Sequence, residues 1–469
     1  MDLLKQLQEL LGSEHVLTGA DAARYGRDWT GAYTSQPRAV LRPANTQEVS
    51  AIVQAAAASG TPIVPVSGNT GLSGGTHADG ALMVSVERMN RIHEINTGAR
   101  IAIVDAGVVL SRLHEAAADV DLCFPLTFGA RGSAMIGGAL STNAGGSNVL
   151  RYGSTRGLCL GLEAVLPNGE ILDLMGQLHK DNSGYALKDL LIGAEGTLGL
   201  ITKAVLRLAP APKAYATALI AVPQLDTALD LLHRLQEATG NAVEAFEYMP
   251  AEFHAAHDAM HPERPLPLQG SPAITILMEV GATAPRDATP DADGAIPVVD
   301  YLESVLAEMM EKGLVSDATI ARSEAQRQAL WATREAAAEV AMGNGPVVLS
   351  DVSVPLDKVA TFLERIEARV AEAFPASKRL WVSHLGDGNV HYNVLDQDLT
   401  PHSKDQITEM IEDEVRRLNG SFSAEHGIGL SKKNSMARRK DRVALSTMRA
   451  IKTALDPQNL MNPGKILPD

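Results

Sequence analysis

Between Asn45 and Gly60 the apolar residues Val49, Ile52, Val53 and Ala56 recur at three- and four-residue spacing, which predicts one face of a helix. Asn45, followed three residues later by Glu48, marks its start, and Gly60 its end. The period then shortens. Residues 63–66, 81–86 and 101–105 are β-rich runs, and 163–166 and 171–174 flank Asn168-Gly169, which predicts a hairpin with a type I′ turn. This rhythm ends near Pro210-Ala211-Pro212. Beyond it, strand-like runs at 217–222, 242–248, 273–280, 314–320 and 346–354 alternate with helical patterns at 226–238, 299–310, 324–342 and 357–373. Residues 281–297, rich in Gly, Ala, Pro and Asp, predict an exposed loop, and the chain from Pro401 is largely helical. The pattern predicts three parts: an N-terminal helical segment (1–35), a first domain (36–212) and a second (213–469) with helices laid on a sheet, an α+β architecture overall.

Composition narrows the function classes. The 469 residues exceed one compact core, and the balance of 45% hydrophobic and 21% charged residues is that of a globular protein. A net charge of −15, with no Lys/Arg-dense face beyond Arg438-Arg439-Lys440, argues against nucleic acid. Cys123 and Cys159 form no CxxC pair and read as thiols in a reducing compartment. The N-terminus lacks the apolar core of a signal peptide, and no stretch has the length of a membrane span, so the expectation is a cytoplasmic protein. A homodimer is the base-rate expectation for its assembly.

The first candidate chemistry is glycine-rich. Val66-Ser67-Gly68-Asn69-Thr70-Gly71 continues to Gly74-Gly75 directly after a strand-like run, and small residues there let backbone N–H groups converge on an anion. The spacing fits neither a Rossmann fingerprint nor a P-loop. On its own the loop reads equally as a surface turn cluster. Two further segments, Gly132 to Gly146 and Gly193 to Gly199, are as glycine-dense, and close backbone approach to one extended ligand accounts for all three.

The second candidate is His384-Leu385-Gly386-Asp387-Gly388-Asn389-Val390-His391-Tyr392-Asn393. Two histidines across a tight turn can face one cation, and His391 and Asn393, two apart on a strand, share a face. Far along the chain, Glu425-His426 lies before Gly427 and Gly429. His384, His391 and Glu425 together form a donor set suited to Zn²⁺ and tolerant of Mn²⁺, Co²⁺ or Fe²⁺. A turn plus a helix cap is the plain alternative, and Asp387 is a rival ligand. Arg334 has a guanidinium fork suited to a carboxylate, and no acid lies one helical turn away from it.

These segments, with Arg151-Tyr152-Gly153, Asp181-Asn182-Ser183-Gly184-Tyr185 and Phe246-Glu247-Tyr248-Met249, resemble the D-lactate and D-2-hydroxyglutarate dehydrogenase branch of the vanillyl-alcohol oxidase / p-cresol methylhydroxylase superfamily. The resemblance runs from about Pro37 to the C-terminus. It implies a two-part FAD-binding domain of the p-cresol methylhydroxylase type, an α+β cap and a C-terminal helical segment whose tail returns to the flavin. By that likeness Val66, Ser67, Gly68, Asn69 and Thr70, in the loop that carries Gly71 and Gly74, would wrap the pyrophosphate. Gly132, Ser133, Gly137, Gly138, Ser141, Thr142, Asn143 and Gly145 would line adenosine and isoalloxazine, with Ile201 and Asn462 near the flavin. His384, His391 and Glu425 would hold the metal, and His426 would be the base. The guanidinium fork makes Arg334 the candidate for the substrate carboxylate, and Asn393 would hydrogen-bond the substrate or its carboxylate. The phosphate loop holds neither His nor Cys, which implies non-covalent FAD. The implied activity is oxidation of a D-2-hydroxy acid, with electrons passed to an external acceptor.

The pattern departs from the glutarate-reading members at two places. Ala338 and Leu349 stand where those members carry a hydroxyl residue and a Lys, which favours a shorter or less polar acid such as D-lactate over D-2-hydroxyglutarate. A sugar-acid or lactone oxidase of the same fold, and a flavin-carrying electron-transfer subunit without catalysis, are the competing expectations.

Overall fold

The computed structural model describes residues 2–343 and 345–468 and divides into two compact units. Unit 1 comprises residues 1–145, 153–210 and 425–469; unit 2 comprises 146–152 and 211–424. The first boundary after the FAD-like segments falls at Pro210, and the chain from Glu425 belongs with unit 1 rather than with the second domain expected for 213–469. The N-terminal segment is likewise part of unit 1.

In unit 1 the helix Thr46–Ser59 is capped by Asn45, whose side chain accepts the Glu48 N–H, and it closes at Gly60 with φ 63°. Its apolar face packs on strands Ala39–Leu41, Ile63–Val66 and Leu82–Ser85 of a four-stranded sheet. The same core takes in Val165 and Leu200 from a second, five-stranded antiparallel sheet. That sheet contains the anticipated hairpin of Cys159–Val165 and Ile171–Leu174, but its turn is not type I′. Gly169 N–H donates to Leu166 O (2.8 Å), and the positive φ falls on Gly169 (84°) and not on Asn168. Pro167 fixes a negative φ at the first central position, which a type I′ turn excludes. The C-terminal tail adds to this unit: Ile63 N–H donates to Leu460 O (2.8 Å) and Asn462 N–H to Ile63 O (2.7 Å).

Unit 2 is built on an eight-stranded sheet. One face packs Phe246, Tyr248, Trp381 and Tyr392 against helices Leu225–Thr239, Pro297–Glu311, Val359–Ala373 and Pro401–Arg417. The other packs Met249, Leu277, Leu380 and Val382 against Ala251–Met260 and the pair Glu324–Glu335 and Ala337–Gly343. Periodicity read that pair as one helix, but the structure breaks it at Ala336, and it misses Ala251–Met260, whose inward face carries histidines rather than aliphatic residues. The expected strand at 346–354 is two short pieces, Val347–Val348 and Val352–Ser353. Among the described residues no helix is long and apolar enough to cross a membrane. Cys159 is buried and Cys123 half-buried, and neither forms a disulfide.

His254 illustrates what the second face costs. Thr275 Oγ1 donates to Met249 O (2.8 Å), so it accepts from His254 Nε2–H (2.7 Å), while His254 Nδ1 is buried without a partner. Burial therefore pushes the imidazole down to about 4, partly opposed by Asp258. Between pH 6.5 and about 4 the unfolded chain binds this proton and the folded chain does not, so stability falls as the pH falls through that window. The loss is about 3 kcal/mol when complete. In His254→Gln the drop in Tm from pH 7 to 4.5 should be clearly smaller than in the wild type; an equal drop in thermal scans would refute this.

Candidate functional site

The three glycine-rich segments meet in unit 1. The first follows strand Ile63–Val66, at the C-terminal end of a parallel strand where α/β sheets expose ligand crevices. A Cβ on Gly68 would lie 2.1 Å from Ser133 O, and one on Gly137 would lie 3.3 Å from Ser67 Oγ, so the first and second segments touch backbone to backbone. The second is tied to the third by Gly193 N–H to Leu140 O (3.0 Å) and Glu195 N–H to Ser141 O (2.8 Å). Asn462 closes the ring, its Nδ2 donating to Gly75 O (3.0 Å) and Glu195 O (2.7 Å).

This assembly leaves donors over. Among the described residues, no backbone N–H from Ser67 to Thr76 finds an acceptor within the protein. A row of unpaired N–H groups with open space beside Gly71 and Gly132 fits the diphosphate of a dinucleotide. Ser141 and Thr142 instead return their hydroxyls to Gly137 O (2.7 Å) and Gly138 O (3.1 Å) of their own helix. Asn143, at φ 50°, accepts the Arg156 N–H, and Ile201 is buried in its strand.

Glu425 and His426 also belong to unit 1, their side chains 3.8 Å apart. Glycines beyond them suggested close approach to a ligand, but the structure shows close approach to protein. A Cβ on Gly429 would lie 2.1 Å from Ser73 O, and the Glu195 carboxylate accepts the N–H groups of Ile428 (2.6 Å) and Gly429 (2.8 Å). Burial pushes Glu195 above the usual carboxylate range, and those two N–H groups oppose it. Ser73 Oγ donates to His426 O (3.1 Å), which fixes the backbone of the candidate base on the phosphate loop. Sequence reading placed Glu195 in a glycine motif but gave it no role.

In unit 2, strands Lys378–His384 and Asn389–Leu395 form a hairpin pairing Val382 with His391, which puts His384, His391 and Asn393 on one face. The two imidazoles lie 5.4 Å apart, edge to face. Asp387, the rival ligand, accepts the N–H of Asn389 (3.1 Å) within the turn. Asp351, overlooked in the sequence, is buried with a carboxylate oxygen within 4.8 Å of a His391 ring nitrogen. It also accepts from Asn389 Nδ2 (3.0 Å), leaving Asn389 Oδ1 buried and unpaired. The Asp351 carbonyl accepts the N–H of Ala424, the residue immediately before Glu425 (3.2 Å). Asn393 Oδ1 accepts the N–H of Ser350 (3.4 Å).

Arg334 has a partner that no helical spacing could reveal. Its Nε donates to Glu247 Oε2 (2.8 Å), on strand Val243–Pro250, and its Nη2 lies 3.5 Å from His384 Nε2. Glu247 Oε1 accepts from His384 Nδ1 (2.8 Å). Burial raises the Glu247 carboxyl, but His384 and Arg334 outweigh it and hold the group below its usual range. Ala338 and Leu349 are both exposed.

Comparison with known proteins shows the family. A model for the C-terminal domain of FAD-linked oxidases matches residues 211–466, and an FAD-binding domain model matches 37–175. A D-2-hydroxyglutarate dehydrogenase of Xanthomonas citri pv. viticola is 37% identical over 95% of this chain and 93% of its own. The mitochondrial D-2-hydroxyglutarate dehydrogenase of Bos taurus is 34% identical over 94% and 79%. Substrate-bound p-cresol methylhydroxylase, 17% identical, superposes at a TM-score of 0.74 over 100% of this chain and 96% of its own, which shows the shared fold. The chain belongs to the FAD-linked oxidase family. It is an FAD-dependent dehydrogenase with the two-part FAD-binding fold that its motifs imply.

Gly68→Ala should cost about 1–3 kcal/mol through overpacking against Ser133. The expected readings are a lower Tm and a reduced ratio of flavin to protein absorbance after gel filtration; unchanged values would contradict the close approach.

Proposed function

We propose that this chain oxidises a D-2-hydroxy acid to the 2-oxo acid, with non-covalent FAD on the unit 1 loops and a divalent cation held by His384, His391 and Glu425, zinc being the best fit. The observation that carries the reading is the polar row Glu247, His384, His391 and Asn393 on the sheet face that also carries Leu380 and Val382, beside the buried Arg334. Imidazole nitrogens, the buried Asp351 carboxylate and the unpaired Asn389 Oδ1 are hard-to-borderline donors of the kind a divalent cation takes. FAD, when bound, supplies the hydride acceptor, and the cation supplies the Lewis acidity that lowers the pKa of the substrate hydroxyl.

The protein's own groups do the rest. His426, as a neutral imidazole, takes the hydroxyl proton. Arg334, held by Glu247 through Nε and with Nη2 3.5 Å from His384 Nε2, has Nη1 to offer the substrate carboxylate, and Asn393 adds a hydrogen bond. The substrate class rests on the relatives' names. Its tail has two readings. Ala338 and Leu349 offer no donor to a distal carboxylate, which supports a short acid such as D-lactate. The names of the relatives support the longer diacid, D-2-hydroxyglutarate.

Anaerobic bleaching of the bound flavin by a panel of D- and L-2-hydroxy acids, with and without chelator, tests these points together. Bleaching by D-acids alone, abolished by chelator, is expected, with kcat/KM higher for D-lactate than for D-2-hydroxyglutarate. The reverse preference selects the diacid reading, and no bleaching by any 2-hydroxy acid removes the proposal. His426→Ala should keep its flavin and bleach about 10²–10⁴-fold more slowly. Acid precipitation should leave the flavin in the supernatant.

A further inference from the structure

Glu247 takes no part in any step above, yet it is 1% exposed and spends both carboxylate oxygens on two of the residues that do. It stands directly opposite His384 in the antiparallel pairing of strands Val243–Pro250 and Lys378–His384. Backbone register therefore sets the contact, not the swing of a long side chain. Two contacts define the same state of His384. The Nδ1–H donates to Glu247 Oε1, and Nε2 faces Arg334 Nη2, a group that can only donate, so Nε2 carries the lone pair.

We propose that Glu247 is a positioning residue that fixes His384 as the Nδ1–H tautomer, with Nε2 as the metal-binding nitrogen, and so sets the affinity of the divalent-cation site. This rests on the function proposed above. The carboxylate does two things an uncharged residue could not. It makes the imidazole a better donor by drawing on its Nδ1 proton. It also sets a counter-charge against the Arg334 guanidinium, whose Nη2 lies 3.5 Å from Nε2, and so weakens its repulsion of a cation there.

Unit 2 offers its own control. Glu244, on the same strand, is also buried and paired, with Arg151 Nη1 (2.7 Å) and Tyr152 Oη (2.7 Å). Neither of these partners is an imidazole. Neutralising either glutamate leaves a buried or half-buried arginine without its counter-charge, so both variants should be less stable. Only one should change metal binding.

Zn²⁺ is titrated into the full-length, FAD-loaded protein in competition with a chromophoric chelator. Glu247→Gln should bind Zn²⁺ about 10–100-fold more weakly than the wild type. Glu244→Gln should bind it as the wild type does, with both variants showing a lower Tm and full flavin content. Wild-type affinity in Glu247→Gln, or equal weakening in Glu244→Gln, overturns the proposal. Should Glu247→Gln not fold, Glu247→Asp is read in the same titration: weaker Zn²⁺ binding supports the role, and wild-type affinity overturns it. A wild type that takes up no Zn²⁺ overturns the metal reading of the proposed function and this inference with it. Selective retention of affinity in the Glu247 variants overturns this inference alone.

Discussion

Unit 1 depends on one steric constraint: the backbone at Gly68 and the backbone at Ser133 approach so closely that no side chain fits between them. This contact brings the end of a parallel strand against the start of helix Ile136–Thr142. The loop that follows cannot then satisfy its own N–H groups, because its chain is committed to the approach rather than to a ladder or a helix. A run of donors without protein acceptors is met by water or by an anion. The glycines that make the contact possible thus also leave a row of donors open to an anionic ligand.

The same logic, with the sign of charge reversed, organises unit 2. There three buried glutamates each meet an arginine: Glu244 with the half-buried Arg151, Glu247 with the buried Arg334, Glu279 with the half-buried Arg327. A buried ion pair is a poor source of stability compared with well-packed aliphatic residues, so its presence calls for another reason. For Glu279 the reason is architectural, since it also takes the Trp331 and Thr217 hydrogens. For Glu247 it is the shared hold on an arginine and a histidine that the proposed chemistry uses.

Much of this was legible in the sequence, and the misses have physical causes. Helices with a clear apolar stripe and a capping residue, such as Thr46–Ser59, were readable because local signals suffice. The hairpin at Asn168-Gly169 was readable, but its turn type was not, because Pro167 overrides the usual meaning of Asn-Gly. Helix Ala251–Met260 was missed because His254 and His257 occupy its buried face, where periodicity looks for aliphatic residues. At the sites, glycine density pointed to the converging loops, and the histidine spacing pointed to one sheet face. Glu247, Asp351 and Glu195 carried no such signal. Their roles come from pairing across strands and segments distant in sequence, which spacing along the chain cannot express.

The C-terminal tail has a consequence for biogenesis. Met461 bridges to Ile63, and Asn462 bonds to carbonyls of two glycine segments. Unit 1 is therefore assembled from both ends of the polypeptide, with nearly all of unit 2 translated between them. While the ribosome is still at work the nascent chain holds only a partial unit 1, and its longest-range pairings close last, which is the slow kind of folding. Until Asn462 has been made, the first and third glycine segments wait for the side chain that ties Gly75 O to Glu195 O.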